Sequence, residues 1–239
     1  MTTFVLVHGG FHGSWCWQSV AHSLRDAGHQ VDAVDLPGRP GGPQHPTIDL
    51  ASYVRVVTDA IDRAGESVVL VAHSLGGVSA ALAAEARHTA LSRLVFVNSL
   101  LSLGGNGALA TMLDAGQDSI LLREGALVPA PDGLTIFADS PETAMEAFFH
   151  RCDPTDAKAA VAQLVPEPMA PLVEVHEVSR ERFGSVPKVY VGADADRVVP
   201  WSLQHRIAEE YSMRFVALGG DHSPFFSATD DLVGLLAEL

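Results

Sequence analysis

The chain has 239 residues, of which 47% are hydrophobic and 18% charged, a composition typical of one compact domain and not of a disordered chain. Its formal net charge of −14 opposes binding to nucleic acid and to anionic membranes, so we expect neither as a partner. The two cysteines, Cys16 and Cys152, do not form a disulfide framework, and we expect two free thiols.

Short apolar runs alternate with helical patterns in both end regions of the chain. The runs predict strands at 4–7, 31–34, 67–72, 94–97, 188–191 and 214–218. The helical patterns cover 15–27, 49–65, 74–87, 201–211 and the residues from about 224. This alternation predicts an α/β fold with a doubly wound, mainly parallel sheet.

The alternation stops between residues 99 and 185. This segment contains several prolines and two helical patches, near 141–151 and 154–164, without a strand–helix rhythm. We interpret it as an inserted, mostly helical cap, so that residues 1–239 form one domain whose core comprises 1–98 and 186–239. A Pro/Gly-rich loop is predicted at 36–46.

The strongest chemical signal is residues 72–77 (AHSLGG), which follow a predicted strand and open a predicted helix. This context is typical of a nucleophile elbow, whose sharp turn requires small residues two positions before and after the serine. Ser74 is therefore the candidate nucleophile, and the Leu75 amide, at a helix N-terminus, is a candidate donor to developing negative charge. A strand-to-helix turn that merely requires small residues is the alternative interpretation.

A serine hydroxyl needs a base to become a strong nucleophile. His222 is the candidate among eleven histidines, because it lies between the last predicted strand and the last predicted helix. Sheets with a nucleophile elbow carry the general base in that loop. The orienting acid should follow the strand at 188–191, and two aspartates do so. We favour Asp196, four residues before Pro200, over Asp194, which suits a turn. His8 is expected to be structural, and the side chain of His73 to point away.

The loop after the first strand, residues 8–11 (HGGF), should supply a second oxyanion donor, and we assign it to the Gly10 amide. No metal-binding spacing and no dinucleotide or phosphate-binding loop is present, so we expect neither a metal nor a cofactor. Candidate substrate contacts are aromatic or imidazole side chains, and core packing is the alternative for each of them: Phe11, His12, Phe148, Phe149 and Phe225.

The opening of the chain, residues 4–15 (FVLVHGGFHGSW), resembles that of the plant methyl-ester esterases, which include the salicylate-binding esterase, and of the related hydroxynitrile lyases. The resemblance extends to residues 70–77, 182–190, 196–200 and 220–222, and it is weakest in the cap. It implies the α/β-hydrolase fold and chemistry without a cofactor. An excess of arginine over lysine further indicates a bacterial member of this group.

Two positions separate the chemistries of this group. The lyases carry a threonine directly after the first-loop histidine and a lysine directly after the catalytic histidine, whereas this chain has Gly9 and Ser223. Both departures favour hydrolysis over cyanohydrin cleavage. A serine at the nucleophile position also argues against epoxide hydrolases and haloalkane dehalogenases, which attack through a carboxylate.

The leading prediction is a serine hydrolase that cleaves a small carboxylic ester through an acyl-enzyme intermediate. One alternative keeps the triad for thioester, lactone or lyase chemistry in natural-product metabolism, and another is a non-catalytic ligand-binding protein on this scaffold. The N-terminal residues lack the features of a signal peptide, so we expect a cytoplasmic protein. The sequence leaves a homodimer open.

Overall fold

The computed structural model describes residues 1–42, 48–131 and 133–239, so the predicted loop at 36–46 lies partly outside the described residues. Within these ranges there are nine strands, in chain order: β1 Thr3–Val7, β2 Gln30–Val34, β3 Val68–His73, β4 Leu91–Val97, β5 Leu127–Pro129, β6 Thr135–Ala138, β7 Glu167–Pro168, β8 Lys188–Ala193 and β9 Arg214–Leu218.

Ten α-helices are described: α1 Gln18–Asp26, α2 Leu50–Ala64, α3 Gly76–Arg87, α4 Ala108–Leu113, α5 Pro141–Phe148, α6 Pro154–Val161, α7 Ala170–Val173, α8 Trp201–Glu210, α9 Pro224–Ser227 and α10 Thr229–Ala237. Short 3₁₀ segments lie at Ser14–Trp17, His88–Ala90, Gly116–Asp118, Ile120–Leu122 and Phe183–Ser185. Among the described residues, no helix combines the length and apolarity needed to cross a bilayer.

Six strands form one sheet in the order β2-β1-β3-β4-β8-β9, and every neighbouring pair is parallel. The prediction of a doubly wound parallel sheet is therefore confirmed. Every residue of β3 is buried, as expected for a central strand covered on both faces. Because parallel strands end at the same edge, the loops after β1, β3, β8 and β9 meet there.

Alternate side chains of each strand enter two separate apolar layers. On β1, Phe4 and Leu6 pack on the face covered by α1 and α10, whereas Val5 and Val7 pack on the face covered by α2 and α3. This division follows from the two-residue period of a strand. Both faces are thus buried, which holds the strand ends in fixed positions.

The segment 99–185 carries α4 to α7 and a small antiparallel sheet in the order β5-β6-β7. The helices α5 and α6 lie within the two predicted patches, and each begins at a proline after a capping residue, Ser140 or Asp153. The small sheet was not predicted, because its strands have only two to four residues each. It matters because β7 carries Glu167.

Candidate active site

Ser74 lies in the turn between β3 and α3 with a backbone φ of +50°. This left-handed conformation is strained for a residue with a side chain, and it turns the hydroxyl away from the sheet. A Cβ added to Gly76 would lie 2.3 Å from the carbonyl oxygen of His8. The requirement for a small residue at this position is therefore steric, since the α3 backbone passes directly against the β1 loop.

Two hydrogen bonds connect the three predicted triad side chains. The Ser74 hydroxyl lies 3.0 Å from Nε2 of His222, and Nδ1 of His222 lies 2.8 Å from Oδ2 of Asp196. Because the carboxylate can only accept, His222 Nδ1 carries the proton and Nε2 is free to accept from the serine. All three residues are buried: Ser74 is 6% exposed, His222 1% and Asp196 7%.

The structure distinguishes the two candidate acids. The second carboxylate oxygen of Asp196 accepts the backbone N–H groups of Val198 and Val199 at 2.7 and 2.9 Å, which fixes its orientation toward the histidine. The side chain of Asp194 is 62% exposed and lies 3.9 Å from Arg151. Only Asp196 is thus brought to His222.

The loop after β1 is fixed by two histidines. Nδ1 of His8 donates to the carbonyl of Gly9, and Nδ1 of His12 donates to the carbonyl of Gly10, each at 2.8 Å. Nε2 of His8 accepts the N–H of Leu36 at 3.1 Å, so both ring nitrogens of His8 bind backbone groups. The carbonyls of Gly9 and Gly10 are therefore held in one orientation.

The amides of Gly10 and Leu75 have no protein acceptor within the described part of the chain. A Cβ added to Gly10 would lie 3.6 Å from the Leu75 side chain, so the two residues face each other across the elbow. Both amides are consequently available to an oxyanion bound beside Ser74.

Sequence reasoning missed the contribution of His73. We expected its side chain to point away from the site, but its Nε2 donates to the backbone carbonyl of His222 at 2.7 Å and the two rings lie 4.7 Å apart. A histidine at the end of a predicted central strand could have indicated a buried polar contact. Its partner could not be identified from the sequence, because it is 149 residues away in the chain.

Asn98 was also missed. It follows β4 with a φ of +46°, and its Nδ2 donates to the carbonyls of Asp221 and His222 at 3.0 and 3.3 Å. Its Oδ1 accepts the N–H of Ala193 at 2.8 Å. Asn98 therefore connects the loop that carries His222 to the end of β8. The loop that carries Asp196 begins at the same end of β8.

Burial determines the charge of three histidines around the site. It lowers the pKa of His12 to about 3, and it lowers the pKa values of His8 and His73 well below the usual range, because the charged imidazole would lose its hydration. The three rings are therefore neutral near pH 7. Of the four buried imidazoles at this site, only that of His222 contacts a carboxylate.

The predicted substrate-contact residues divide into two groups. Phe11 and Phe148 line a cavity of about 310 Å³, which is apolar apart from Asp139 and Ser140. The Phe148 ring also lies 5.7 Å from the His222 ring, so one side chain of the lining contacts both the cavity and the triad histidine. The others, His12, Phe149 and Phe225, are at most 1% exposed and pack within an aromatic cluster, which matches the core-packing alternative.

Cys16 and Cys152 are free thiols. In residues 1–42, 48–131 and 133–239, no group of three His, Cys, Asp or Glu side chains is arranged to hold a metal ion.

Comparison with known proteins shows similarity over nearly the whole chain. The chain is 33% identical to "Methyl jasmonate esterase 1" of Vitis vinifera, over 99% of this chain and 95% of that protein. It is 30% identical to "Methylesterase 7" of Arabidopsis thaliana, with coverages of 99% and 95%. The crystal structure of polyneuridine aldehyde esterase has the same fold, with a TM-score of 0.87 at 24% identity over 100% of this chain and 98% of that one.

A family model also matches residues 4–235, nearly the whole chain, and its description is "Alpha/beta hydrolase family". The protein therefore belongs to the alpha/beta hydrolase family.

Proposed function

We propose that this protein is a serine carboxylic-ester hydrolase that works through an acyl-enzyme intermediate. The observation that carries the proposal is the hydrogen-bonded series from Asp196 through His222 to Ser74, with Ser74 in a left-handed elbow. A carboxylate, an imidazole and a hydroxyl in this order convert the hydroxyl into a nucleophile at neutral pH.

In the first half-reaction, Ser74 Oγ attacks the ester carbonyl carbon while Nε2 of His222 takes the hydroxyl proton. The carbonyl oxygen becomes an oxyanion, which accepts hydrogen bonds from the Gly10 and Leu75 amides. The tetrahedral intermediate then collapses, the bond to the alcohol oxygen breaks, and His222 returns the proton to the leaving alcohol. Ser74 is left as an acyl ester.

The second half-reaction repeats these steps with water. His222 takes a proton from the water, whose oxygen attacks the acyl carbon, and Ser74 Oγ leaves with that proton. The product is a free carboxylic acid. Asp196 keeps the proton on Nδ1 in both steps and stabilises the imidazolium that forms each time.

We propose a methyl ester of a carboxylic acid with an uncharged, apolar portion as the substrate class. Two relatives are named as a methyl jasmonate esterase and a methylesterase, which supports a small alcohol group. The mostly apolar lining of the cavity, which includes Phe11 and Phe148, supports an apolar remainder, because it offers such a group apolar contacts.

The geometry at Gly9 supports hydrolysis over the lyase alternative. A Cβ added there would lie 2.6 Å from Cβ of Ser74 and 2.8 Å from Nδ1 of His73. The threonine that the lyases carry would thus require a shift of the loop against the elbow. Product analysis separates the chemistries, because hydrolysis yields an acid and an alcohol, whereas lyase cleavage yields a carbonyl compound.

The test is hydrolysis of p-nitrophenyl acetate and butyrate and of a methyl-ester panel, together with labelling by a fluorophosphonate. We expect the parent protein to hydrolyse at least the activated esters and to be labelled at one site. Ser74→Ala should abolish both hydrolysis and labelling. The control is Ser92→Ala, at the far end of β4, which should preserve both. Absence of hydrolysis by the parent, or equal hydrolysis by Ser74→Ala, would overturn the proposal.

The expectations about biological context remain predictions. We expect a cytoplasmic location, a bacterial source and no nucleic-acid or membrane partner from composition and sequence pattern alone. A homodimer is possible, but the sequence does not determine the oligomeric state. Cell fractionation tests the location, and sedimentation analysis tests the oligomeric state.

A further inference from the structure

The backbone of Phe11 is held entirely by the segment that leads into β7. Phe11 has a φ of +65°, which is strained for an aromatic residue. Its N–H donates to Oε2 of Glu167 at 2.8 Å, and its carbonyl accepts the N–H of Val165 at 3.0 Å. Both polar groups of this strained residue thus bind a segment more than 150 residues away in the chain.

Glu167 is a buried carboxylate with three donors. Besides Phe11 N–H, it accepts from Nη2 of Arg39 and, through Oε1, from the Tyr53 hydroxyl at 3.0 Å. The Arg39 and Glu167 side chains are each 1% exposed. A buried ion pair of this kind costs a large desolvation energy, and hydrophobic side chains of similar volume are often at least as stabilising. The pair lies beside the loop after β1, residues 8–12, which we call the oxyanion loop. Its presence there indicates a role besides stability.

Arg39 holds the other end of the same loop. Its Nε donates to the carbonyl of His12 at 2.9 Å, and its Nη1 donates to the Tyr53 oxygen at 2.6 Å. Burial opposes the charge, but the adjacent carboxylate of Glu167 raises the pKa of Arg39 above its usual value, so the guanidinium remains charged. The backbone from Gly10 to His12 is consequently fixed by one charged unit, formed by Arg39, Tyr53 and Glu167.

We propose that Glu167 is a positioning residue, which sets the orientation of the Gly10 amide by fixing the peptide that follows it. The inference rests on the proposed function, because the Gly10 amide matters only if an oxyanion forms. The carbonyl of Gly10 and the N–H of Phe11 belong to one planar peptide, so fixing that N–H restricts ψ of Gly10. Without the acceptor, this peptide is held only by the His12 ring, through the carbonyl of Gly10, and the strained φ of Phe11 loses one of its two supports.

The proposal also makes catalysis depend on the cap. Glu167 lies on β7, whose neighbour is β6, and the segment carrying both is the inserted region between β4 and β8. The oxyanion loop belongs to the core and follows β1. Correct seating of the cap therefore completes the geometry of the Gly10 donor, in addition to enclosing a substrate.

The principal test compares Glu167→Gln with Glu85→Gln. The matched control, Glu85 on α3, accepts the backbone N–H groups of Ser179 and Phe183 at 2.9 and 3.2 Å. It thus ties another part of the inserted segment to the core without contacting the oxyanion loop. Each variant is assayed for kcat and KM on p-nitrophenyl butyrate, for thermal unfolding, and for inhibition by an aryl trifluoromethyl ketone, whose adduct carries an oxyanion.

We expect kcat of Glu167→Gln to fall by about 10²-fold, as when one oxyanion donor is lost, while KM changes less than about threefold. Affinity for the trifluoromethyl ketone should fall by a comparable factor, because both depend on the same amide. Glu85→Gln should keep its kcat and inhibitor affinity even if it unfolds at a lower temperature. If the ion pair has only a structural role, Glu167→Gln will unfold at a lower temperature but keep its kcat and its affinity for the trifluoromethyl ketone. That result would overturn the proposal.

Tyr53→Phe keeps the proposal testable if Glu167→Gln does not fold. It removes the donor to Oε1 and the acceptor of Arg39 Nη1, but it leaves the Arg39–Glu167 pair intact. A smaller loss, of roughly threefold to tenfold in kcat and in inhibitor affinity together, is expected from the loosened carboxylate. Unchanged values would overturn the proposal, whereas absence of hydrolysis by the parent protein would overturn the proposed function instead.

Discussion

The imidazole of His73 donates a hydrogen bond to the backbone carbonyl of His222 at 2.7 Å, so the residue before the proposed nucleophile holds the loop of the proposed base. The two residues are 149 positions apart, and each follows or ends a strand of the same sheet. The distance between Ser74 Oγ and His222 Nε2 is thereby controlled by neighbours of both residues.

Replacing His73 with leucine should therefore impair catalysis without touching a triad side chain. The variant keeps a side chain of moderate size at this buried position but loses the donor to His222. We expect kcat to fall roughly tenfold to a hundredfold, because small displacements of a catalytic group have effects of this size. His22→Leu, at an exposed position on α1, is the control. Equal kcat values would contradict this prediction and would mean that the other hydrogen bonds of the loop, including those from Asn98, hold His222 without His73.

The two aspartates after β8 make a matched pair for the acid. Asp196→Asn preserves the shape but replaces one oxygen by an amide nitrogen, which favours the wrong histidine tautomer. We expect kcat to fall by about 10⁴-fold. Asp194→Asn, only two residues away and exposed, should leave kcat within about twofold, as for a surface residue outside the site. Steady-state kinetics on p-nitrophenyl acetate measures both, and the reverse pattern would transfer the acid role to Asp194.

Two glycines of the site should differ in their response to alanine. At Gly76, the added Cβ would lie 2.3 Å from the His8 carbonyl oxygen, whereas at Gly10 its nearest neighbours are 3.6 Å away. Gly76→Ala should lower the free energy of unfolding by about 1–3 kcal/mol or more and disrupt the elbow, while Gly10→Ala should fold and hydrolyse ester normally. Denaturant unfolding and kcat are the measurements. A stable, active Gly76→Ala would contradict the steric argument.

The sequence predicted those features that have a local pattern. Ser74 and His222 could be predicted as nucleophile and base because an elbow and a strand-to-helix loop each have a short signature. Asp196 could be predicted as the acid because of its spacing to Pro200. The unit of Arg39, Tyr53 and Glu167 has no such signature. Its members are up to 128 residues apart, and each alone reads as an ordinary charged or aromatic side chain. Only the packing of the cap against the β1 loop brings them together.

The cap shows the same limit. Its helices α5 and α6 were predicted because each begins with a capping residue followed by proline, which is a strong local signal. Its strands β5, β6 and β7 were not, since strands this short have no alternation to detect. The cavity lined by Phe11 and Phe148 depends on both sets of elements, so its shape could not be predicted from the sequence.

Narrowing this cavity should change substrate preference. Ala144 lies on α5 and lines the cavity, and Ala144→Leu would fill part of its volume. We expect the ratio of kcat/KM for p-nitrophenyl hexanoate to that for the acetate to fall by about tenfold, a size expected for lost methylene contacts. Ala159→Leu, at an exposed position on α6, is the control. An unchanged ratio would place the acyl chain elsewhere.

The free energy of unfolding should decrease as the pH falls below 6.5, because burial keeps the histidines near the site unprotonated in the folded chain. The pKa of His12 is about 3 in the folded chain and near 6.5 when unfolded, so the unfolded state binds a proton that the folded state does not. The neutral His12 therefore contributes to the free energy of unfolding, and this contribution is fully present above pH 6.5. It is lost as the pH falls from 6.5 toward 3, at about 1.4 kcal/mol per pH unit. His8 and His73 act in the same direction.

The corresponding experiment is urea unfolding at pH 6.5 and pH 5.0 for the parent, His12→Phe and His22→Phe. His12→Phe removes the titrating group, so its loss of unfolding free energy between these pH values should be smaller than the parent's by roughly 2 kcal/mol. The exposed His22 should not alter the difference. The comparison within each variant cancels the cost of losing the hydrogen bond to Gly10. A loss in His12→Phe equal to the parent's would mean that His12 becomes protonated without unfolding.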